Sequence, residues 1–145
     1  MKKILHIILI FLFSLTIISC AKKSGSSSSD NNTTTDTTAP TVSSVSPTDN
    51  QSGVSITDNI SVTFSETMDT TYVTTNTSDT YCSGTLRVSS DNFSTCVKMS
   101  SSPASSNSDK TFTVDPSDNL SRATTYKIIV TTGVKDIAGN ALGSQ

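Results

Sequence analysis

The chain has 145 residues, 33% of them hydrophobic, 15% charged and 6% aromatic, with no Trp, one His and three Cys. That length supports one domain. Removing an N-terminal export segment, residues 1–19, takes away Lys2, Lys3 and His6, so the mature chain carries a formal charge of −4 and no imidazole. A net-acidic chain is no polyanion binder, which argues against nucleic acid as a partner. Without His, the commonest general-base and metal-ligating designs are also gone.

Met1-Lys2-Lys3 is followed by an apolar run from Ile4 to Ile18, then Ser19 and Cys20. A basic start, a short apolar stretch and a small residue read as a secretory signal. The run contains Ser14 and Thr16 and falls short of the roughly 20 apolar residues a spanning helix needs. Ile17-Ile18-Ser19-Cys20 resembles the bacterial lipobox, with a branched residue three before the cysteine and a small residue directly before it. On that resemblance Cys20 becomes the lipidated first residue, and its acyl chains, at about 0.8 kcal/mol per buried methylene, hold the protein on a membrane. Ala21 at the next position is not the retention residue familiar from enteric bacteria, which favours the outer membrane or the cell surface.

Residues 20–39 follow as a linker. Ser26 to Ser29, Asp30, Asn31, Asn32 and Thr33 to Thr35 leave nothing able to bury enough surface to fold. A flexible coil of about 19 residues spans roughly 25 Å, enough to hold a domain off a bilayer.

From residue 40 to residue 145 the period is two. Ile60, Val62 and Phe64 alternate with Ser61, Thr63 and Ser65, the pattern of a half-buried strand. The same reading places strands on Leu86 and Val88, on Val97 and Met99, on Phe112 and Val114, and on Tyr126, Ile128 and Val130. Val42 and Val45 mark a further strand whose three-residue spacing requires a bulge or an irregular edge. Ile129 breaks the alternation and lies either at a covered edge or on a contact surface. Pro, Asn, Asp and Ser clusters at 46–50, 101–109 and 115–119 supply the turns. No stretch of the mature chain has apolar residues at helical spacing over three turns, so the expected fold is an all-β antiparallel sandwich.

Ile60 to Asp69, Leu120 to Tyr126 and Gly133-Val-Lys-Asp-Ile-Ala-Gly-Asn-Ala-Leu142 together resemble the bacterial Ig-like domain first described in surface-layer proteins. The resemblance covers nearly all of 40–143 and implies an Ig-like β-sandwich. For function it implies only spacers, adhesin modules and surface-layer segments. In residue terms, Met68 is a core plug, and Glu66 and Asp69 are expected to accept backbone N–H bonds. Leu120 to Tyr126 resembles a tyrosine corner, with Arg122-Ala123 where the family often has Pro-Gly. Asp136 pins a turn in which Gly139 takes a positive φ.

Cys82 and Cys96 are the remaining cysteines of an exported chain and are expected to form a disulfide, stapling the strands around Leu86 and Val97. The functional expectation is a lipid-anchored envelope protein with one non-catalytic module, serving in adhesion or as a spacer, with an unidentified protein or glycan ligand and no cofactor. Candidate contact regions are the loops 70–81 and 100–109, which show no evident core residue; each can equally be plain solvated loop. Two alternatives come from the carboxylates. Asp69 and Asp136 could serve accessory calcium binding. Glu66 and Asp69 as a glycan-hydrolysing pair are disfavoured, being three residues apart across a turn in a chain without Trp platforms. No catalytic residue and no metal ligand is assigned. The chain stops at Gln145 directly after the closing motif, as expected of a one-domain lipoprotein or of a shortened relative of a multi-domain adhesin.

Overall fold

The computed structural model describes residues 34–143, so the expected signal peptide, the expected lipidation site Cys20 and most of the expected linker lie outside the described residues. Among the described residues, six strands form two antiparallel sheets. They are β1 (Val42–Ser46), β2 (Ile60–Phe64), β3 (Leu86–Ser89), β4 (Ala104–Ser106), β5 (Thr111–Val114) and β6 (Lys127–Val130). The larger sheet runs β1-β2-β5-β4 and the smaller one is β3-β6. The architecture is the expected Ig-like antiparallel sandwich.

β2 and β5 are the centre of the large sheet because their alternation is cleanest. Ile60, Val62 and Phe64 point inward and are buried, as are Phe112 and Val114 opposite them in the register Ile60↔Val114 and Val62↔Phe112. The Phe64 and Phe112 rings meet edge to face, with centroids 5.9 Å apart. Leu86, Val88, Val130, Val134, Met68 and Leu142 complete one core. Met68 is the plug its position implied, only 1% exposed. β1 carries its irregularity where Val42 and Val45 required one: the pairing with β2 shifts between Val42 and Ser44. β6 begins at Lys127, with Tyr126 just before it.

Three expectations are corrected. Val97 and Met99 do not form a strand: Met99 makes an isolated bridge to Pro116, and the Val97 N–H bonds to the Val88 carbonyl at 2.8 Å. The bridge is closed by the Ser100 N–H on the Asp115 carbonyl at 2.8 Å and the Ser117 N–H on the Lys98 carbonyl at 2.9 Å and stays isolated, while the Met99 N–H turns to the Asn76 carbonyl at 2.9 Å. Within the loop 100–109, Ala104–Ser106 forms the short edge strand β4, paired with β5 through Ala104↔Thr113 and Ser106↔Thr111. All three residues are exposed, so no apolar alternation could announce them. Asn107, Ser108 and Asp109, all in the left-handed region, close the hairpin. The loop 70–81 does contribute to the core: Val73 is 4% and Asn76 1% exposed.

That loop is held against β3 by Gly84. Its φ is +77°, and a Cβ there would lie 2.7 Å from the Thr75 Cα, inside backbone contact distance. Glycine is required on both counts.

Candidate functional site

The acidic residues singled out in the sequence sit around the closing loop, and most are occupied in shaping it. The Asp136 side chain is buried. One of its oxygens accepts the Asn140 backbone N–H at 2.8 Å, and the other accepts Asn140 Nδ2 at 2.8 Å. Gly139 takes φ +93°, as the turn demanded. Burial raises the Asp136 pKa, but hydrogen bonds from the Asn140 side chain and from the backbone of Asn140, Ala138 and Gly139 outweigh it, and the net shift is downward.

Asp69 behaves as expected of a cap. It accepts the Thr71 N–H at 2.9 Å and the Thr71 hydroxyl at 2.7 Å, opening a single 3-10 turn over Thr70–Tyr72. Those two bonds hold its carboxyl below the ordinary value. Glu66 departs from the expectation. Instead of capping backbone it lies with Asp36 and Asp136, one oxygen from each carboxylate falling within 4.8 Å of the others. Burial, then the charges of Asp136 and Asp36, push the Glu66 carboxyl above its usual range. The clustered carboxylates are therefore Asp36, Glu66 and Asp136, and not the Asp69–Asp136 or Glu66–Asp69 pairs considered from sequence. No local pattern could bring Asp36 into this group. It arrives because Asn140 Nδ2 also reaches the Asp36 carbonyl at 3.2 Å, tying the start of the domain to its closing loop.

The disulfide between Cys82 and Cys96 is formed, with Cα atoms 4.9 Å apart. It joins the end of the 70–81 loop to the segment running beside β3. Backbone bonds reinforce the same seam: Cys96 N–H to the Thr80 carbonyl at 2.8 Å and Met99 N–H to the Asn76 carbonyl at 2.9 Å. Inside the disulfide loop, Asp91 accepts the Ser89 hydroxyl at 2.7 Å and the Thr95 hydroxyl at 2.6 Å. Bonds from the Thr95 side chain and backbone lead in lowering its pKa to about 2. Sequence reading passed over Asp91, although Ser-x-Asp and Asp-x-x-x-Thr spacings are a recognisable local-bonding signal. Asn76 uses its Nδ2 on the Asp79 carbonyl at 2.9 Å, while its buried Oδ1 has no partner.

The tyrosine corner is present: the Tyr126 phenol oxygen accepts the Ser121 N–H at 2.9 Å. Ala123 stands at φ +51°, a left-handed position that glycine would occupy without strain. Between this corner and residues 51–56 lies an open groove of about 490 Å³, lined by Gln51, Ile56, Leu120, Arg122, Thr124 and Tyr126 among others. At the other loops, Tyr72 lies under the Lys135 ammonium at 4.7 Å, while Tyr81 and Ile137 are 77% and 74% exposed. Ile129 is 37% exposed on the outer face of β6, opposite Arg87, so it does not lie at a covered edge.

Comparison with known proteins agrees with this architecture. No curated protein matches the chain. Among solved structures, the crystal structure of the S-layer protein rSbsC(31-844) superposes with a TM-score of 0.53 at 24% identity, over 74% of this chain and 13% of that one. The N-terminal part of the bacterial S-layer protein SbsC does so with the same score and identity, over 74% of this chain and 22% of its own. The chain thus spans under a quarter of the length of either protein, and at this identity the likeness is one of fold. Sequence matching to the bacterial Ig-like domain extends over residues 36–145, taking in both sheets and the closing loop. On that match the chain belongs to the bacterial Ig-like domain family.

Proposed function

We propose that this chain is an exported, lipid-anchored and non-catalytic module of the cell envelope, held at the outer membrane or cell surface through Cys20 and acting in binding or as a spacer. One observation carries the non-catalytic reading: three of the carboxylates are used to tie off the domain's own loops. Asp69 serves Thr71, Asp91 serves Thr95 and Asp136 serves Asn140. The lipobox-like Ile17-Ile18-Ser19-Cys20 and the polar residues that follow support the anchor. S-layer proteins of the same fold support placement in the envelope.

Acyl-chain labelling and mild protease treatment of intact cells test this reading. Label is expected on the wild type and lost in Cys20→Ala, with the wild-type domain removed from whole cells by protease. A labelled but protected protein would place it on a periplasmic face, and an unlabelled wild type would defeat the anchor. A second reading, accessory calcium binding, has one observation in its favour: the three carboxylates within 4.8 Å. Both Asp136 oxygens already accept bonds from Asn140, which works against it. A ligand that binds only the folded state raises the melting temperature. A rise in Tm with millimolar calcium, absent in Glu66→Gln, would support this reading, and an unchanged Tm would remove it.

A further inference from the structure

Asparagine followed two places on by serine or threonine, with any residue but proline between, is the acceptor motif for N-linked sugar in exported chains. Five such asparagines fall among the described residues: Asn50, Asn59, Asn76, Asn92 and Asn119. Asn31 and Asn32 carry the motif too but lie outside them. In a chain this rich in Ser and Thr the motif arises from composition, so spacing alone selects none of these positions.

The structure separates them. A transferase must draw the asparagine, its follower and the hydroxyl residue together into its own site, which requires a segment free of the fold. Asn76 is 1% exposed, and its carbonyl accepts the Met99 N–H. Asn59 is exposed, but Ile60 after it is buried and Ser61 lies in β2, paired with both Ser46 and Thr113. Asn92-Phe93-Ser94 is tied inside the disulfide loop, where the Phe93 N–H bonds to Ser89 Oγ at 2.9 Å and Ser94 Oγ donates to the Asp91 carbonyl at 3.1 Å. Asn119-Leu120-Ser121 is held to other segments at two points. The Leu120 N–H bonds to the Ile56 carbonyl at 2.8 Å and the Ser121 N–H to the Tyr126 phenol oxygen at 2.9 Å.

Asn50-Gln51-Ser52 is free of such ties. Every residue from Thr48 to Gly53 is exposed, in the connection between β1 and β2. The hydrogen bonds there are local: the Gln51 N–H bonds to the Thr48 carbonyl at 3.0 Å, Gln51 Oε1 accepts the Thr48 N–H at 2.9 Å, and Asn50 Nδ2 donates to the adjacent Asp49 carboxylate at 3.0 Å. Ser52 has no hydrogen-bond partner among the described residues. Asn50 at φ +57° and Gly53 at φ +72° bend the backbone on either side of Gln51-Ser52, and a Cβ on Gly53 would meet nothing within 4 Å. This tip also lies away from the linker. Asp36 is bonded to the closing loop through Asn140, and Met68, just beyond the Phe64 end of β2, bridges Asp136 in the same loop. The register Val42↔Phe64 and Ser46↔Ser61 puts the β1–β2 connection at the opposite end of the sandwich.

We propose that Asn50 is an N-glycosylation site, taking an oligosaccharide from a polyprenyl-pyrophosphate-linked donor in the cell envelope. Asn50 Nδ2 attacks C1 of the first sugar. The C1–O bond to the pyrophosphate breaks, its electron pair leaves on the phosphate, and one Nδ2 proton passes to solvent. The N–H that remains on Nδ2 is enough to keep the bond to Asp49. The sugar then stands at the end of the domain farthest from the linker, where it is bulky, solubilising and clear of the core. The proposal rests on the export reading, because the transfer takes place outside the cytoplasm.

The test is mass spectrometry of the full-length protein purified from the cells that make it. Peptides carrying each motif and the N-terminal peptide are read separately. A mass increment of whole hexose or N-acetylhexosamine units is expected at Asn50, and none at Asn59, Asn76, Asn92 or Asn119. Asn50→Gln and Ser52→Ala should both lose the increment, and Ser52→Thr should keep it, because the motif requires the hydroxyl and not serine itself. All three substitutions lie on an exposed tip, so the variants are expected to melt with the wild type, and the wild-type measurement needs no variant. A bare Asn50 overturns the proposal. If that bare chain begins at an acylated Cys20, the export reading survives; if it still begins at Met1, both fall. An increment that persists at Asn50 in Ser52→Ala would also overturn it, since the attachment would then not depend on the motif.

Discussion

Tyr126 shows how one polar atom orders a loop here. Its phenol oxygen accepts the Ser121 N–H across a turn that Ala123 holds in the left-handed region. Tyr126→Phe keeps the ring and removes the acceptor, so it is expected to lower stability by about 1 kcal/mol, checked by urea denaturation. Glu66 and Asp136 make a pH prediction, because their shifts have opposite signs. Burial and the charges of Asp136 and Asp36 raise the Glu66 pKa. Its protonated form is therefore favoured in the folded state, and stability rises as pH falls through that raised pKa. For Asp136, burial pushes the pKa up but the bonds from Asn140, Ala138 and Gly139 bring it down overall. Its contribution is present above the unfolded carboxylate value and is lost as pH falls through the folded one. Asp69 and Asp91, both lowered, act in the same sense as Asp136. Melting temperature should therefore climb as pH is lowered from neutral toward the unfolded carboxyl values near 4, and fall in more acid solution. Glu66→Gln should raise Tm at pH 7 and remove the climb. A wild-type Tm that falls steadily from pH 7 would contradict this assignment.

At the scale of elements, the middle of the chain depends on a covalent link. Between the 70–81 loop and β4 there is one named strand, β3, and its outer side is lined by Thr74 and Val97 rather than by another strand. The Cys82–Cys96 link closes a loop with a sequence separation of 14, which stabilises by about 3 kcal/mol on the chain-entropy account. Replacing both cysteines with serine is expected to cost about that much, read from the shift of the denaturation midpoint. Proteolysis should then begin between residues 70 and 100 and not at β2 or β5. How legible an element was followed its burial. β2 and β5 were plain because one side of each strand faces the core. β4 left no mark because its three residues are all exposed and its existence rests on backbone pairing alone. Val97 and Met99 alternated as a strand does, but folding gave them partners on different segments, Val88 for Val97 and Asn76 and Pro116 for Met99, so no continuous ladder formed.

On the scale of the whole domain, stability rests on one core that joins both sheets. Phe112 is 1% exposed, packs edge to face on Phe64 and belongs to the same cluster as Leu86, Val88 and Val130 of the smaller sheet. Phe112→Ala is expected to cost about 3–5 kcal/mol, the combined loss of transfer energy and a cavity that rigid neighbours only partly fill. For a domain of this size that approaches the whole folding free energy. Loss of the cooperative thermal transition by calorimetry would bear this out, and a Tm within a few degrees of the wild type would show that the two sheets do not share one core.

Sequence by itself determined the export-and-tether order of the N-terminal segments as an expectation, and the sandwich, the bulge in β1, the core plug at Met68, the corner at Tyr126 and the cysteine pair as features the fold then displayed. These are local or periodic: alternation encodes which side chains face inward, and turn chemistry encodes where the chain reverses. Tertiary structure alone decided three things. It gathered Asp36 with Glu66 and Asp136, packed Thr75 so close to Gly84 that no side chain fits there, and gave Val97 and Met99 partners on different segments. Each depends on which residues, 9 to 100 positions apart, are brought together by sheet pairing. No periodicity along the chain records that, because pairing energy is shared between strands and belongs to neither sequence alone.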